Sequence, residues 1–238
     1  MAQIIKPPEN EIRFASMKNL HANAAVFLAV AMISAGVAAQ SPQTHMHSFH
    51  DAEKWAHVFD DPSRDAWQKP HEVIRALALK PDALVADIGA GTGYFSARLS
   101  RMLPKGKVYA VDIEPDMVKY LAERAEREHL ENLRALRGKP DDANLPEPVD
   151  LALLVDVYHH IEHRRTYFDN LKNALKADGR VAIIDFREDS PDGPPRAERI
   201  PPAEVKQEMA AAGYRLAEEF GFLPNQYFLV FTASVTPR

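Results

Sequence analysis

The chain contains no cysteine. That excludes disulfides, thiolate metal sites and a cysteine nucleophile, and it leaves the redox compartment open. It also excludes a lipid anchor carried on cysteine. Basic residues are in deficit, 29 Lys and Arg against 34 Asp and Glu, for a formal net charge of −5. The positive field that draws in DNA or RNA is therefore missing, and no nucleic-acid partner is expected. No uninterrupted apolar run approaches the roughly 20 residues of a membrane-spanning helix. No internal repeat is evident. What is present is ordinary for a globular protein: 238 residues, 46% of them apolar, enough for one domain with a sizeable core plus a small appendage.

The appendage is at the N-terminus. Residues 1–16 are polar and patternless. Met17-Lys18-Asn19-Leu20-His21 then opens a basic stretch, residues 24–35 are almost wholly apolar, and Gly36-Val37-Ala38-Ala39-Gln40 supplies small residues where a signal peptidase cuts. This order describes a secretory signal spanning 1–39, with Met17 as the natural start and the mature chain exported to the periplasm. The alternatives are a buried helix or short anchor, and a cytoplasmic protein. After cleavage no stable membrane insertion is expected. Residues 40–69 follow as a linker and a short helical segment, with Trp55 and Phe59 four residues apart on one face. His45, His47, His50 and His57 resemble a metal tract, but a histidine-containing linker is the plainer reading.

From residue 70 onward the pattern alternates. Pro70 suits a first helical position, with Val73, Ile74 and Leu77 at helical spacing. Short apolar runs at 84–87, 108–111, 133–136, 151–155 and 181–184 read as strands, and amphipathic segments between them read as helices. One of these helices is expected over 167–175, with Gly179 as its stop. A last helix from Pro201-Pro202 to near Gly213 leads into two strands, 216–220 and 227–232, joined by a tight turn. Alternation predicts an α/β, Rossmann-like doubly wound sheet, and the tight final connection requires an antiparallel pair. The expected sheet has seven strands, mostly parallel, with one antiparallel strand near an edge.

The segment richest in chemistry is Asp87-Ile88-Gly89-Ala90-Gly91-Thr92-Gly93-Tyr94, between the first strand and the next helix. Its glycines let backbone approach a ligand closely, and the helix start offers free N–H groups. The dinucleotide fingerprint G-x-G-x-x-G is not met, because Tyr94 occupies the sixth position. Asp87 would repel a pyrophosphate, whereas it can accept from an ammonium group. A second carboxylate, Asp112, ends the next strand, where it can accept from both ribose hydroxyls or cap the helix beginning at Pro115.

With these residues the sequence resembles the class I S-adenosylmethionine-dependent methyltransferases over about residues 70–235. Asp87-x-Gly89-x-Gly91-x-Gly93 matches that family's first motif, and Asp112 its ribose-binding acidic residue. Asp141-Asp142-Ala143-Asn144-Leu145-Pro146 resembles the loop whose acidic side chain meets adenine, with either Asp141 or Asp142 in that role. Residues 149–156 look like its fourth strand, and Leu175-Lys176-Ala177-Asp178-Gly179-Arg180 resembles the turn before its fifth. The resemblance implies that 70–238 is a methyltransferase domain using S-adenosylmethionine. Asp87, Gly89, Ala90, Gly91, Gly93 and Tyr94 would hold the methionine end. Asp112 and Ile113 would hold the ribose, and Asp156 would complete the pocket. Tyr158, His159 and His160 would face the transferring methyl, a histidine as base and the Tyr158 ring steadying the cation. No metal is expected: Asp156 and Asp185 both end strands but have no third partner.

Each candidate has a plainer alternative. One of His159 and His160 packs under a helix and the other is solvated; Asp156 caps a helix; Trp55 and Trp67 are core anchors, the favoured reading for both. Residues 187–201, with four prolines, are expected to form a partial lid, and Gln226 or Tyr227 to reach the substrate. No Asn-Pro-Pro-Tyr motif follows strand four, so a small-molecule acceptor is expected. A non-catalytic nucleoside-binding module and a nicotinamide-dependent oxidoreductase are the other two classes compatible with the fold.

Overall fold

A computed structural model describes residues 50–234. The signal segment, the start at Met17 and the histidines at 45 and 47 lie outside the described residues.

Strands form where β-branched and aliphatic residues run together, and helices where they recur every three or four positions. The order is α1 (Ala52–Phe59), α2 (Arg64–Gln68), α3 (Pro70–Ala76), β1 (Leu84–Ile88), α4 (Tyr94–Met102), β2 (Lys107–Asp112), α5 (Pro115–Arg127), β3 (Leu133–Arg137) and β4 (Val149–Val155). It continues with α6 (Arg164–Asn173), β5 (Leu175–Phe186), α7 (Pro202–Ala211), β6 (Tyr214–Phe220) and β7 (Gln226–Ala233). Proline occupies the first turn of α3, α5 and α7, where its missing N–H costs nothing.

The seven strands pair in the order β3-β2-β1-β4-β5-β7-β6. β1 to β5 are mutually parallel, and β7 runs antiparallel to both β5 and β6. β7 is thus the expected antiparallel strand, one place in from the edge. Alternate side chains of the central strands enter two separate cores. Val85, Leu151, Leu153 and Ile184 pack under α3 and α4, while Ala86, Ile88, Leu154 and Ile183 pack under α6 and α7. Both faces are covered, so β1, β4 and β5 read as continuous apolar runs.

Gly179 is not the stop of α6. That helix ends at Asn173 on the Ala174 cap, and Gly179 lies inside β5. There the pairing with β4 jumps from Val149–Leu175 to Leu151–Arg180. A Cβ on Gly179 would meet the backbone of Lys176 at 2.9 Å, so the glycine serves a bulge rather than a helix end. Among the described residues no helix is long and apolar enough to cross a membrane.

Strand order reverses between β1 and β4. An open parallel sheet binds ligands at such a point, at the carboxyl ends of its strands. Four carboxylates mark that edge on four neighbouring strands: Asp112 ends β2, Asp87 lies near the end of β1, Asp156 follows β4, and Asp185 lies near the end of β5.

Candidate functional site

A cavity of about 880 Å³ opens over this edge. That is within the range of roughly 300–1,000 Å³ typical of small-molecule sites. Its wall includes Asp87, Gly89, Ala90, Gly91, Tyr94, Asp112, Ile113 and Asp156, all expected from the sequence, together with His159 and His160.

The turn after β1 is shaped by close approach. Gly89 has φ +68°, and a Cβ there would stand 2.3 Å from a methyl of Val157. Only glycine fits that position, which brings the backbone of the turn onto the cavity floor. Asp87 is 3% exposed and accepts a hydrogen bond from the Ser96 hydroxyl on α4. Burial pushes its carboxyl up to about 7, against the Ser96 bonds that pull it down, with the Asp112 charge adding to the rise. Asp112 accepts from the backbone N–H groups of Gly91 and Glu114, each at 2.9 Å. Burial raises its carboxyl as well. The second of those bonds also orders the turn into α5, so Asp112 serves local structure and cavity wall together.

His159 sits in a short 3₁₀ turn, Tyr158–His160, after β4. Its Nδ1 lies 2.9 Å from both Asp185 oxygens, and its backbone N–H donates to Asp185 Oδ2 at 3.2 Å. Burial pulls the imidazole pKa down, but the Asp185 hydrogen bond and charge outweigh burial and hold it above the ordinary 6.5. With Nδ1–H committed to Asp185, the other ring nitrogen, Nε2, is left as the basic one. The His160 ring lies 4.0 Å away, centre to centre. Asp156 is held in a left-handed conformation, φ 58°, and accepts from Gln68 Nε2 at 2.9 Å and from Gln226 Nε2. Burial and the neighbouring Asp185 both raise its carboxyl.

Several expectations are corrected. Tyr158 is fully buried away from the cavity; its hydroxyl donates to Glu208 at 2.6 Å and its ring stacks on Phe168. Gly93 faces α5, where a Cβ would meet Leu121 at 2.8 Å, and it is not on the cavity wall. Neither Asp141 nor Asp142 reaches the wall. Asp142 turns back to accept from the Asn144 N–H, and the backbone bridge between Lys139 and Asp142 leaves Gly138, Lys139 and Pro140 at the cavity instead. Gln226 and Tyr227 are buried and neither is on the cavity wall; the Gln226 amide donates to Asp156. Trp55 and Trp67, expected as core anchors, line the cavity, Trp67 against Phe186 at 5.8 Å. From the 187–201 segment, Asp192, Gly193, Pro194, Pro195 and Glu198 do border the cavity.

Sequence reasoning missed three wall or support residues. Asp185, at a strand end in sequence, suggests only a metal ligand. Arg64 lies in a five-residue helix with no pattern of its own. Thr92, inside the glycine motif, is 1% exposed, and its hydroxyl has no hydrogen-bond partner in the protein. Among the described residues no cluster of three or more His, Asp or Glu is arranged to hold a metal ion.

Residues 86–181 match a family model described as a methyltransferase domain. Over 135 residues the chain is 29% identical to erythromycin 3''-O-methyltransferase of Saccharopolyspora erythraea, covering 53% of this chain and 44% of that protein. It is 28% identical over 143 residues to an uncharacterized methyltransferase of Staphylococcus carnosus, covering 56% and 65%. The chain thus spans less than two thirds of either relative. The crystal structure of a SAM-dependent methyltransferase from Aquifex aeolicus superposes with a TM-score of 0.70 at 29% identity, covering 76% of this chain and 97% of that one.

Proposed function

We propose that this chain, a member of the class I S-adenosylmethionine-dependent methyltransferase family, transfers a methyl group from that cofactor to a small-molecule acceptor bearing an ionisable hydroxyl. One arrangement carries the proposal. Asp87 and Asp112 flank the glycine turn at the switch point, and His159, held from behind by Asp185, stands on the same cavity wall beyond Asp156.

The residues fit the cofactor. Asp87 is a buried carboxylate met only by the hydroxyl and backbone of Ser96, with no cationic partner, and is suited to an ammonium group. The Thr92 hydroxyl is a buried polar group awaiting a partner, and the backbone approach at Gly89 makes the cradle. Asp112 retains lone pairs for ribose hydroxyls beyond the two backbone bonds it accepts. When bound, S-adenosylmethionine supplies a sulfonium-activated methyl group.

The protein's own work is to position and to move one proton. Aromatic and glycine surfaces of the wall exclude water and hold the acceptor in line. His159 takes the acceptor's hydroxyl proton at its basic nitrogen Nε2, and Asp185 holds the ring orientation and stabilises the resulting imidazolium. The acidic character of the cavity, with no excess of basic side chains, supports a neutral or cationic acceptor rather than a phosphorylated one.

Calorimetric titration of the full chain with S-adenosylhomocysteine, with Asp112→Ala as control, tests the cofactor assignment. Micromolar binding that the substitution weakens is expected. Transfer of labelled methyl to a panel of small hydroxyl compounds, compared between wild type and His159→Ala, tests the acceptor chemistry. Turnover in His159→Ala at the wild-type rate would overturn the role of the base.

A further inference from the structure

A cation that does not reach the cavity organises one of its walls. Arg199 follows the 3₁₀ turn Arg196–Glu198, and its side chain turns back into the loop between β5 and α7. Its Nε donates to the Pro194 carbonyl at 2.8 Å. Its Nη1 donates to the carbonyls of Ser190, Arg187 and Glu188 at 2.7, 3.1 and 3.3 Å, and its Nη2 to that of Asp192 at 3.0 Å. Five backbone carbonyls of one segment thus converge on one guanidinium. The contact with Arg187 joins the two ends of residues 187–199, so the segment is a compact loop closed around a charge of its own.

Arg187, at the other end, fastens the loop to the turn between β6 and β7. Its backbone N–H donates to the Asn225 carbonyl at 3.1 Å, and its guanidinium to the carbonyls of Leu223 at 3.1 Å, Gln226 at 3.2 Å and Pro224. The Asn225 amide in turn donates to Asp192 Oδ2 at 2.8 Å. Pro191, Pro194 and Pro195 each fix a φ angle within the loop. At its tip Gly193, φ +100°, lies against Phe186, where a Cβ would stand 2.5 Å from the ring. The Trp67 ring is 5.8 Å from the same ring. Phe186 follows Asp185, the carboxylate that holds His159, so the loop borders the cavity beside the proposed base. The Glu198 charge reaches His159 and adds to the rise of its imidazole.

Resting on the function proposed above, we propose that residues 187–199 are a preformed wall of the acceptor site and that Arg199 is its positioning residue. Arg199 touches neither ligand; it sets acceptor affinity by holding Gly193, Pro194, Pro195 and Glu198 in place beside Phe186. A mobile lid keeps its backbone groups for water until a ligand arrives. Here five carbonyls are already spent on Arg199, and the N–H groups of Ser190, Glu198 and Arg199 on the carbonyls of Arg187, Pro195 and Arg196. The loop is ordered in folding rather than on acceptor binding, which leaves more of the contact energy for affinity. Contacts that a fixed wall makes equally with substrate and transition state change KM and leave kcat.

Hydrogen exchange over residues 188–199 of the full chain separates a wall from a lid. In the ligand-free wild type the Ser190, Glu198 and Arg199 amides are expected to exchange slowly, and S-adenosylhomocysteine should leave their rates within about twofold. Arg199→Ala should speed that exchange roughly 10- to 100-fold, the range of lost charge-assisted hydrogen bonds. Guanidinium ion at millimolar concentration should restore the protection. For the compound most rapidly methylated in the panel above, Arg199→Ala should raise KM about tenfold, with kcat within about threefold and S-adenosylhomocysteine affinity within about twofold of wild type. Guanidinium should lower KM again, a rescue that a merely destabilised fold would not show. Fast exchange in the ligand-free wild type that S-adenosylhomocysteine slows, or wild-type exchange in Arg199→Ala, overturns the wall. A fall in kcat with KM unchanged overturns the positioning role. Should the variant fail to fold, the wild-type exchange pattern decides. A folded chain that binds no S-adenosylhomocysteine removes the function proposed above, whereas one that binds it and keeps its KM in Arg199→Ala removes the role of Arg199 alone.

Discussion

Replacing Asp87 by asparagine should stabilise the ligand-free protein and cripple cofactor binding, and both effects should depend on pH in calculable ways. Burial and the nearby Asp112 raise the Asp87 carboxyl from 3.8 to about 7 in the folded chain, despite the Ser96 hydrogen bonds. The folded state therefore holds this proton more tightly than the unfolded state. The stability it contributes is complete below about pH 4 and is lost progressively as pH rises towards 7. At about 1.4 kcal/mol per pH unit, the loss approaches ~4 kcal/mol by pH 8. Asparagine, a near-isostere that never ionises, escapes that loss. Urea denaturation at pH 5 and pH 8 should show the Asp87→Asn variant gaining on wild type by about 2–3 kcal/mol between the two, since more than a unit of the shift is already spent by pH 5. Binding runs the other way. A cofactor ammonium needs the ionised carboxylate, so wild-type affinity for S-adenosylhomocysteine should fall about tenfold per pH unit below 7 and level off above it. The variant's affinity should be weak and flat. A stability difference that does not change between pH 5 and 8, or wild-type affinity that is flat from pH 6 to 8, would refute the reasoning.

Three further outcomes follow from individual contacts. His159→Ala should leave S-adenosylhomocysteine binding within twofold and lower methyl transfer about 10²- to 10⁴-fold. Because Asp185 raises the His159 pKa, wild-type transfer should increase with pH through a midpoint above 6.5, and Asp185→Asn should move that midpoint down; pH–rate profiles check both. Tyr158→Phe should leave transfer intact and cost about 1–2 kcal/mol in denaturation, since it removes only the bond to Glu208, which Arg164 still holds at 2.7 Å. For the N-terminal segment, sequencing of exported material should find Gln40 as the first residue if 17–39 is the cleaved signal.

The centre of the sheet was legible because β1 and β4 are buried on both faces and carry near-continuous apolar runs, and because prolines mark the starts of α3, α5 and α7. The glycine turn was legible for the same local reason: Gly89 sits against Val157, so sequence and backbone are locked together there. The errors cluster where a side chain's direction depends on distant partners. Tyr158 adjoins two cavity residues in sequence, yet Glu208, fifty positions away, draws its hydroxyl into the core. Asp141 and Asp142 stand in the expected loop, but the backbone bridge at Lys139 turns them outward. Trp55, Trp67 and Arg64 belong to short polar helices whose placement over the cavity is set by contacts with α4 and α5, which no periodicity within the segment reveals.

The four strand-end carboxylates show how one edge divides its labour by choice of partner. Asp112 is met by backbone N–H groups, which fix its place but leave acceptor capacity for hydroxyls. Asp87 is given the hydroxyl and backbone of Ser96, too little to offset burial, so it favours a cationic ligand. Asp156 accepts one glutamine amide on each oxygen and is approached by Arg64, which makes it a strut between α2, β4 and β7. Asp185 accepts from the backbone N–H groups of His159 and Phe186 and from the His159 ring, so its negative charge is directed at one imidazole. Exchanging any of these partner sets alters the function of the carboxylate without moving it. Ser96→Ala is the mildest such exchange. It removes the only side-chain donor on Asp87, raises that carboxyl further, and should shift the pH midpoint of cofactor affinity upward while leaving the affinity reached at high pH within a few fold. A midpoint that stays in place would mean that burial, the Ser96 backbone and the Asp112 charge set the charge of Asp87 without the hydroxyl, which then serves only to pack α4 against the sheet.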